Sequence, residues 1–241
     1  MEVRKNIIES VTSKFGKTTI SSAQFFVSWN SVVTLAFAGF SQTLLAIKQE
    51  IDLQLPDLKP ENPGAKWPKA TLGCLREDVE LSEEQVRQLR RICSEHSAKL
   101  QELTESDKSM SIDSLQCVTF CCRTLEKRLM TQSIALLDKA TEDDGPPQDH
   151  MDVIVETMAQ FSEEEHNHYF PKLKSQGRTI DNYYRAPHVE STLVYDLQPS
   201  SALNKILSGF KSAVDGEMPD CYAWFESTSL HMTVRGLDAK D

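Results

Sequence analysis

The chain carries a weak internal repeat, to be weighed against the general likeness of any two β-α-β units, and a repeat restricts the fold more than any composition does, because each copy must find room for the same strands and helix. The first copy runs Val32-Val33-Thr34-Leu35-Ala36-Phe37, then a helical stretch over residues 43–51, then Leu55-Pro56. It closes on Lys66-Trp67-Pro68-Lys69-Ala70-Thr71-Leu72-Gly73-Cys74-Leu75. The second runs Ser191-Thr192-Leu193-Val194-Tyr195-Asp196-Leu197, a helix over 201–214, Met218-Pro219, Ala223-Trp224-Phe225, and Ser229 to Leu237. Both read strand, helix, proline turn, aromatic segment, strand. Leu203, Ile206, Leu207 and Phe210 recur at i, i+3, i+4 and i+7, the apolar stripe of a helix laid on a sheet, and Leu44, Leu45, Ile47 and Ile51 make a similar one. The pattern predicts an α+β fold of duplicated β-α-β units in two lobes. Residues 21–137 form the first lobe, 138–186 an acidic insertion and linker, and 187–241 a second lobe that is incomplete.

With 241 residues, 39% of them hydrophobic, the chain can bury a substantial core. Its net charge of −10 argues against wrapping a long polyanion, an affinity that comes from Lys and Arg neutralising phosphates. The charge is local. No Lys or Arg occurs from Ala140 to Pro171, where nine carboxylates accumulate, so a small phosphate ligand elsewhere is compatible with the total. Thr18 to Ile47 carries no charge, yet its Ser, Thr, Asn and Gln content argues against a membrane span. Six scattered cysteines read as reduced thiols, which places the expectation at an intracellular, cytoplasmic protein, an organelle remaining open.

Between the copies, Ser82 with Gln85 makes a capping box opening a helix lined by Val86, Leu89, Ile92 and Cys93. Leu115, Val118, Cys122, Leu125 and Leu129 fit helical spacing, yet residues 112–122 also read as a strand with Val118, Phe120 and Cys122 on one side; the strand is the preferred reading, followed by a turn near Glu126-Lys127-Arg128 and a second strand to Leu137. Asp143-Asp144-Gly145-Pro146-Pro147 reads as an exposed break, and 152–161 as a helix.

The sharpest chemistry lies in His231-Met232-Thr233. Side chains two apart on a strand share a face, so imidazole and hydroxyl project together while Met232 and Val234 turn to the core. Imidazole moves protons near neutral pH and the hydroxyl can hold a phosphate oxygen. Arg235, continuing the alternation, would add a fixed positive charge. An aromatic run, a Ser-Leu step and His-x-Thr-Val-Arg-x-Leu on the last strand of a duplicated unit resembles the two-histidine (2H) phosphoesterase superfamily, the LigT-like cyclic phosphodiesterases and RNA ligases. The resemblance covers 190–237 and, more loosely, 32–75. It implies two lobes that each present a His-x-Thr/Ser motif to a shared site. One histidine would act as base and the other as acid on a 2′,3′-cyclic phosphodiester, without metal or other cofactor. His231 and Thr233 are the matching positions.

The first copy departs from that pattern with Lys69-Ala70-Thr71, which keeps the hydroxyl and replaces the histidine. An unperturbed lysine, with a pKa of about 10.4, binds phosphate but is no base near neutral pH. The sequence also stops four residues after Leu237, so the expectation is either that something else, such as a partner chain, completes the second lobe or that the sequence is a fragment. Two readings follow. One is a degenerate 2H-like module that binds a small phosphate, nucleotide or RNA end, or serves as a subunit of an assembly. The other is an active cyclic phosphodiesterase, a hydrolase with His231, Thr233 and Thr71 as catalytic residues and Lys69, Arg235 and Trp67 binding ligand. Trp67 could stack a base, although a packing role is the plainer reading. Cys117, Cys121 and Cys122 lack zinc spacing, and His166 and His168 read as a solvated acidic helix end, so no metal is expected.

Overall fold

A computed structural model describes residues 2–61, 67–140, 144–176, 179–185 and 189–240. Lys66 of the aromatic segment, Asp143 of the break and the 186/187 lobe boundary lie outside the described residues. After α1 (Glu2–Thr12) come β1 (Gly16–Val27), β2 (Val33–Phe37), α2 (Gln42–Gln54) and β3 (Lys69–Leu75). Then follow α3 (Glu83–Gln101), α4 (Glu105–Lys108), β4 (Ser109–Ile112), β5 (Ser114–Phe120), β6 (Arg128–Ala135) and β7 (Leu137–Ala140). The acidic region folds as α5 (Gln148–Ala159), α6 (His166–Gln176) and α7 (Ile180–Tyr184). Last come β8 (Glu190–Asp196), α8 (Ser201–Glu217), β9 (Tyr222–Trp224) and β10 (His231–Gly236). The fold is α+β, with two sheets ordered β4-β1-β2-β3-β9, to which β7 adds on β1, and β10-β8-β5-β6.

The internal repeat is visible in atomic detail. β2 and β3 are antiparallel neighbours joined through α2, as β8 and β10 are through α8. Ser41 caps α2 by accepting from the Leu44 amide, and Ser200 caps α8 from Leu203. Each helix ends on a bent residue, Leu55 (φ −128, ψ 68) and Met218 (φ −137, ψ 67), whose amide donates four residues back. A proline follows each, and it cannot continue a helix.

The uncharged run 18–47 supplies β1, β2 and the start of α2, and every residue of β2 is buried. A strand covered on both faces reads as continuous apolar sequence, which is why it mimics a membrane span. Among the described residues no helix is long and apolar enough to cross a membrane. β4 pairs with β1 only over Thr18–Ser21. Beyond that point α3 closes the exposed edge, Ser97 Oγ accepting from Phe25 N at 2.9 Å and Gln101 donating to Ala23 O at 2.8 Å. α3 opens on the expected Ser82–Gln85 capping box.

The sheets do not follow the expected lobe limits. β9, from the second copy, extends the first sheet on β3, while β5, from 21–137, pairs with β8 and carries β6 on its other side. The second unit's paired strands β8 and β10 are widened into a four-stranded sheet by this β5–β6 hairpin of the same chain. One continuous core runs through both units. The acidic segment also docks on the chain itself. Glu163 pairs with Arg90 at 2.8 Å and with Arg87 at 3.4 Å, and Asp144 Oδ1 accepts from Thr43 N at 2.7 Å. His166 is buried between Arg90 and Phe170, so it is no part of a solvated helix end.

Candidate functional site

β3 and β10, the closing strands of the two units, approach one another with Cα atoms within 8 Å although they belong to different sheets. Both alternate in the same way. On β10, Met232 and Val234 are fully buried while His231 and Thr233 are half-buried; on β3, Ala70 and Leu72 are fully buried while Lys69 and Thr71 are half-buried. Each strand thus keeps a polar pair on one face and sends its apolar pair to the core, as period-two geometry demands. Cross-strand register sets the neighbours on that polar face: Thr34 beside Thr71 and Ala36 beside Lys69, Asp196 beside His231 and Val194 beside Thr233.

The imidazole of His231 has a defined polarity. Its Nδ1 lies 2.8 Å from the Ser229 carbonyl oxygen, which can only accept, so Nδ1 carries the hydrogen and Nε2 presents a lone pair. Burial lowers the pKa of this ring below the ordinary histidine value. The Ser229 carbonyl and the Asp196 carboxylate oppose that shift, while Arg128 reinforces it. Asp196 in turn accepts both guanidinium nitrogens of Arg128, at 2.6 and 2.8 Å, and Arg128 Nε donates to Leu125 O at 3.1 Å. Arg128 opens β6, at the corner of the sheet diagonal to His231. Coiling of a twisted sheet is what brings such corners together. Beneath the polar pair on that concave face lies a separate apolar cluster of Val118, Phe120, Leu125 and Val194.

Two residues expected to face a ligand are engaged by the protein. A register shift between Thr233 and Arg235 breaks the alternation. Arg235 is therefore buried, donating to Asp52 at 2.8 Å, Lys59 O at 2.9 Å and Gly236 O at 2.8 Å. A bulge of this kind cannot be seen in a spacing rule. Trp67 is 8% exposed, its ring 5.6 Å from that of Phe26 and 4.3 Å from Lys69 Nζ. It packs against Phe26 and Lys69, the plainer of its two expected roles. Lys69 holds its charge over that indole, a cation–π arrangement that directs the ammonium.

Sequence reasoning missed the Asp196–Arg128 pair. Asp196 was accessible, since pairing the second unit's two strands puts it opposite His231. Arg128 was not, because its approach depends on the curl of four strands. Among the described residues no group of His, Cys, Asp or Glu is arranged to hold a metal ion. All six cysteines are free, and burial pushes the Cys74 thiol up to about 12, away from the reactive thiolate. No protein family, curated protein or solved structure matches the chain.

Proposed function

We propose that the chain is a degenerate 2H phosphoesterase-like protein that binds a small phosphate or nucleotide between its two units. The reading is carried by one observation, the equivalence of Lys69-x-Thr71 and His231-x-Thr233 on the adjacent closing strands of two matching units. In it the hydroxyls of Thr71 and Thr233 donate to phosphate oxygens and Lys69 supplies the charge. His231 contributes through Nε2, accepting from a ligand hydroxyl or a protonated phosphate oxygen. With a lysine where a second histidine would stand, the pair lacks matched acid and base groups near neutral pH, so binding without turnover is the expected behaviour.

A second reading, a metal-independent cyclic phosphodiesterase, draws on the pinned, neutral imidazole, the form a general base requires. Incubation of the purified chain with a 2′,3′-cyclic nucleotide separates the two. Calorimetric binding with no hydrolysis, weakened at least tenfold by Lys69→Met and by Thr71→Ala, is expected. Hydrolysis abolished by His231→Ala establishes the second reading instead. Absence of both binding and turnover overturns both.

A further inference from the structure

The corner Glu126-Lys127-Arg128 between β5 and β6 reaches the surroundings of His231 by two routes. The one through Arg128 and Asp196 is electrostatic. The other, through Glu126, runs along hydrogen bonds. Glu126 Oε1 accepts from the Tyr184 hydroxyl at 2.9 Å and from the Glu226 amide at 3.0 Å. Glu226 opens the short turn Ser227–Ser229, and its carbonyl accepts from the amide and the hydroxyl of Ser229, both at 2.9 Å. The Ser229 carbonyl then accepts from Nδ1 of His231 at 2.8 Å, the bond that sets the tautomer of the ring.

Backbone bonds hold the two ends of this segment, Phe225 N donating to Leu72 O and Leu197 N to Leu230 O, each at 2.9 Å. Between those anchors Glu126 reaches in from the other sheet and takes the Glu226 amide. Glu126 is itself well placed to hold a fixed position. Its amide donates to Thr124 Oγ1 at 3.3 Å, and Leu125 just before it is left-handed, with φ 58. A leucine in that conformation is strained, and it persists only where its surroundings hold it, as they commonly do near functional groups. Here Leu125 is 2% exposed and its amide donates to Cys122 O at 2.9 Å. Burial and the bond to Glu126 push the pKa of Tyr184 up, so its hydroxyl stays a donor through the neutral range.

We infer that Glu126 is a positioning residue for His231, holding the turn so that the Ser229 carbonyl selects the Nδ1–H tautomer and Nε2 presents its lone pair to a ligand. What His231 does with that lone pair rests on the phosphate-binding reading; how the ring is held does not. Both donors to Glu126 need only an acceptor oxygen, which glutamine also supplies. A side chain with no acceptor leaves the Glu226 amide unbonded and the turn without its central anchor. The tautomer of a histidine is set by the hydrogen bond on one ring nitrogen, so it is the property that should respond. If Glu126 served packing alone, leucine would replace it better than glutamine.

Long-range proton–nitrogen NMR correlations of the His231 ring on the full chain at neutral pH test this. The wild type and Glu126→Gln are expected to show the single Nδ1–H tautomer. Glu126→Leu and Glu126→Ala should show exchange between both tautomers and bind 2′,3′-cyclic AMP roughly tenfold more weakly, about the worth of one hydrogen bond, with unchanged far-ultraviolet circular dichroism. Should one of these two fail to fold, the other decides. Wild-type nitrogen shifts in a folded Glu126→Leu or Glu126→Ala chain, or a Glu126→Gln chain that behaves like them, would overturn the inference. Because the tautomer is read without ligand, a wild-type chain that binds no cyclic nucleotide ends the phosphate-binding reading and not this one.

Discussion

His231 sits directly across the antiparallel ladder from Asp196, yet both oxygens of that carboxylate are taken by Arg128. A histidine beside a bare carboxylate gains a proton readily. Here burial is the main cause that lowers the pKa of the ring; the Ser229 carbonyl and the Asp196 carboxylate still pull it up, and the guanidinium bound to Asp196 adds to the lowering. The arrangement keeps the ring neutral while fixing its tautomer through Ser229.

Removing Arg128 should therefore raise the His231 pKa, since Asp196 is then uncompensated, and Asp196→Asn should lower it. Titration of the imidazole carbon-bound protons by NMR in Arg128→Gln and Asp196→Asn reads both directions. Equal pKa values in the wild type and the two variants would show that the pair has no electrostatic hold on the ring.

The lowered pKa also links stability to pH. In the unfolded chain this imidazole titrates near about 6.5, and in the fold it titrates lower. As pH falls below the unfolded value the unfolded state binds the proton first, so stability is lost between the two pKa values and no further below the folded one. His231→Gln has no such proton to take up. Between pH 7.5 and 5.5 the wild type is expected to lose more thermal stability than this variant, as read by differential scanning calorimetry.

The repeat was the most legible part of the sequence because it is written in local signals. Capping serines, apolar stripes and prolines after the helices act within a few residues and keep their meaning wherever the unit is placed. The α3 capping box was legible for the same reason, whereas local signals left β5 open between strand and helix, since Leu115, Val118, Cys122, Leu125 and Leu129 also keep helical spacing. Sheet membership was not, since β9 joins β3 and the hairpin joins β8 across long stretches of chain. At the site, the shared face of His231 and Thr233 followed from strand periodicity. The fate of Arg235 did not, because one register shift reverses the inference for every later residue.

Arg235 serves the fold, and this can be separated from ligand binding. Its side chain is 5% exposed, and it ties β10 to Asp52 of α2 and to the Lys59 carbonyl. Arg235→Met leaves the Lys59 and Gly236 carbonyls without their donor, while half-exposed Asp52 can turn to water, and should cost about 2 kcal/mol, in the range for hydrogen bonds made by a charged group. Arg235→Lys should recover only part of this, because one ammonium cannot reproduce the guanidinium fork. Urea unfolding gives the free energies, and phosphate-ligand affinity of the folded Arg235→Lys chain should stay within twofold of wild type.

If the two units are structural equivalents, their caps should be worth similar amounts. Ser41 and Ser200 each accept from the amide three residues on, and each makes a second bond outside its helix, Ser41 to Thr18 at 2.6 Å and Ser200 to the Asp107 carbonyl at 3.0 Å. Replacing a capping serine by alanine costs about 1 kcal/mol. Ser41→Ala and Ser200→Ala are each expected to lower unfolding free energy by that order. Because both caps belong to one continuous core, each variant should unfold in a single transition. A two-step transition in Ser200→Ala alone, with the first sheet surviving, would mean that the second unit melts independently. The strand exchange through β9 and the β5–β6 hairpin forbids that, since each sheet combines strands from before and after the acidic segment.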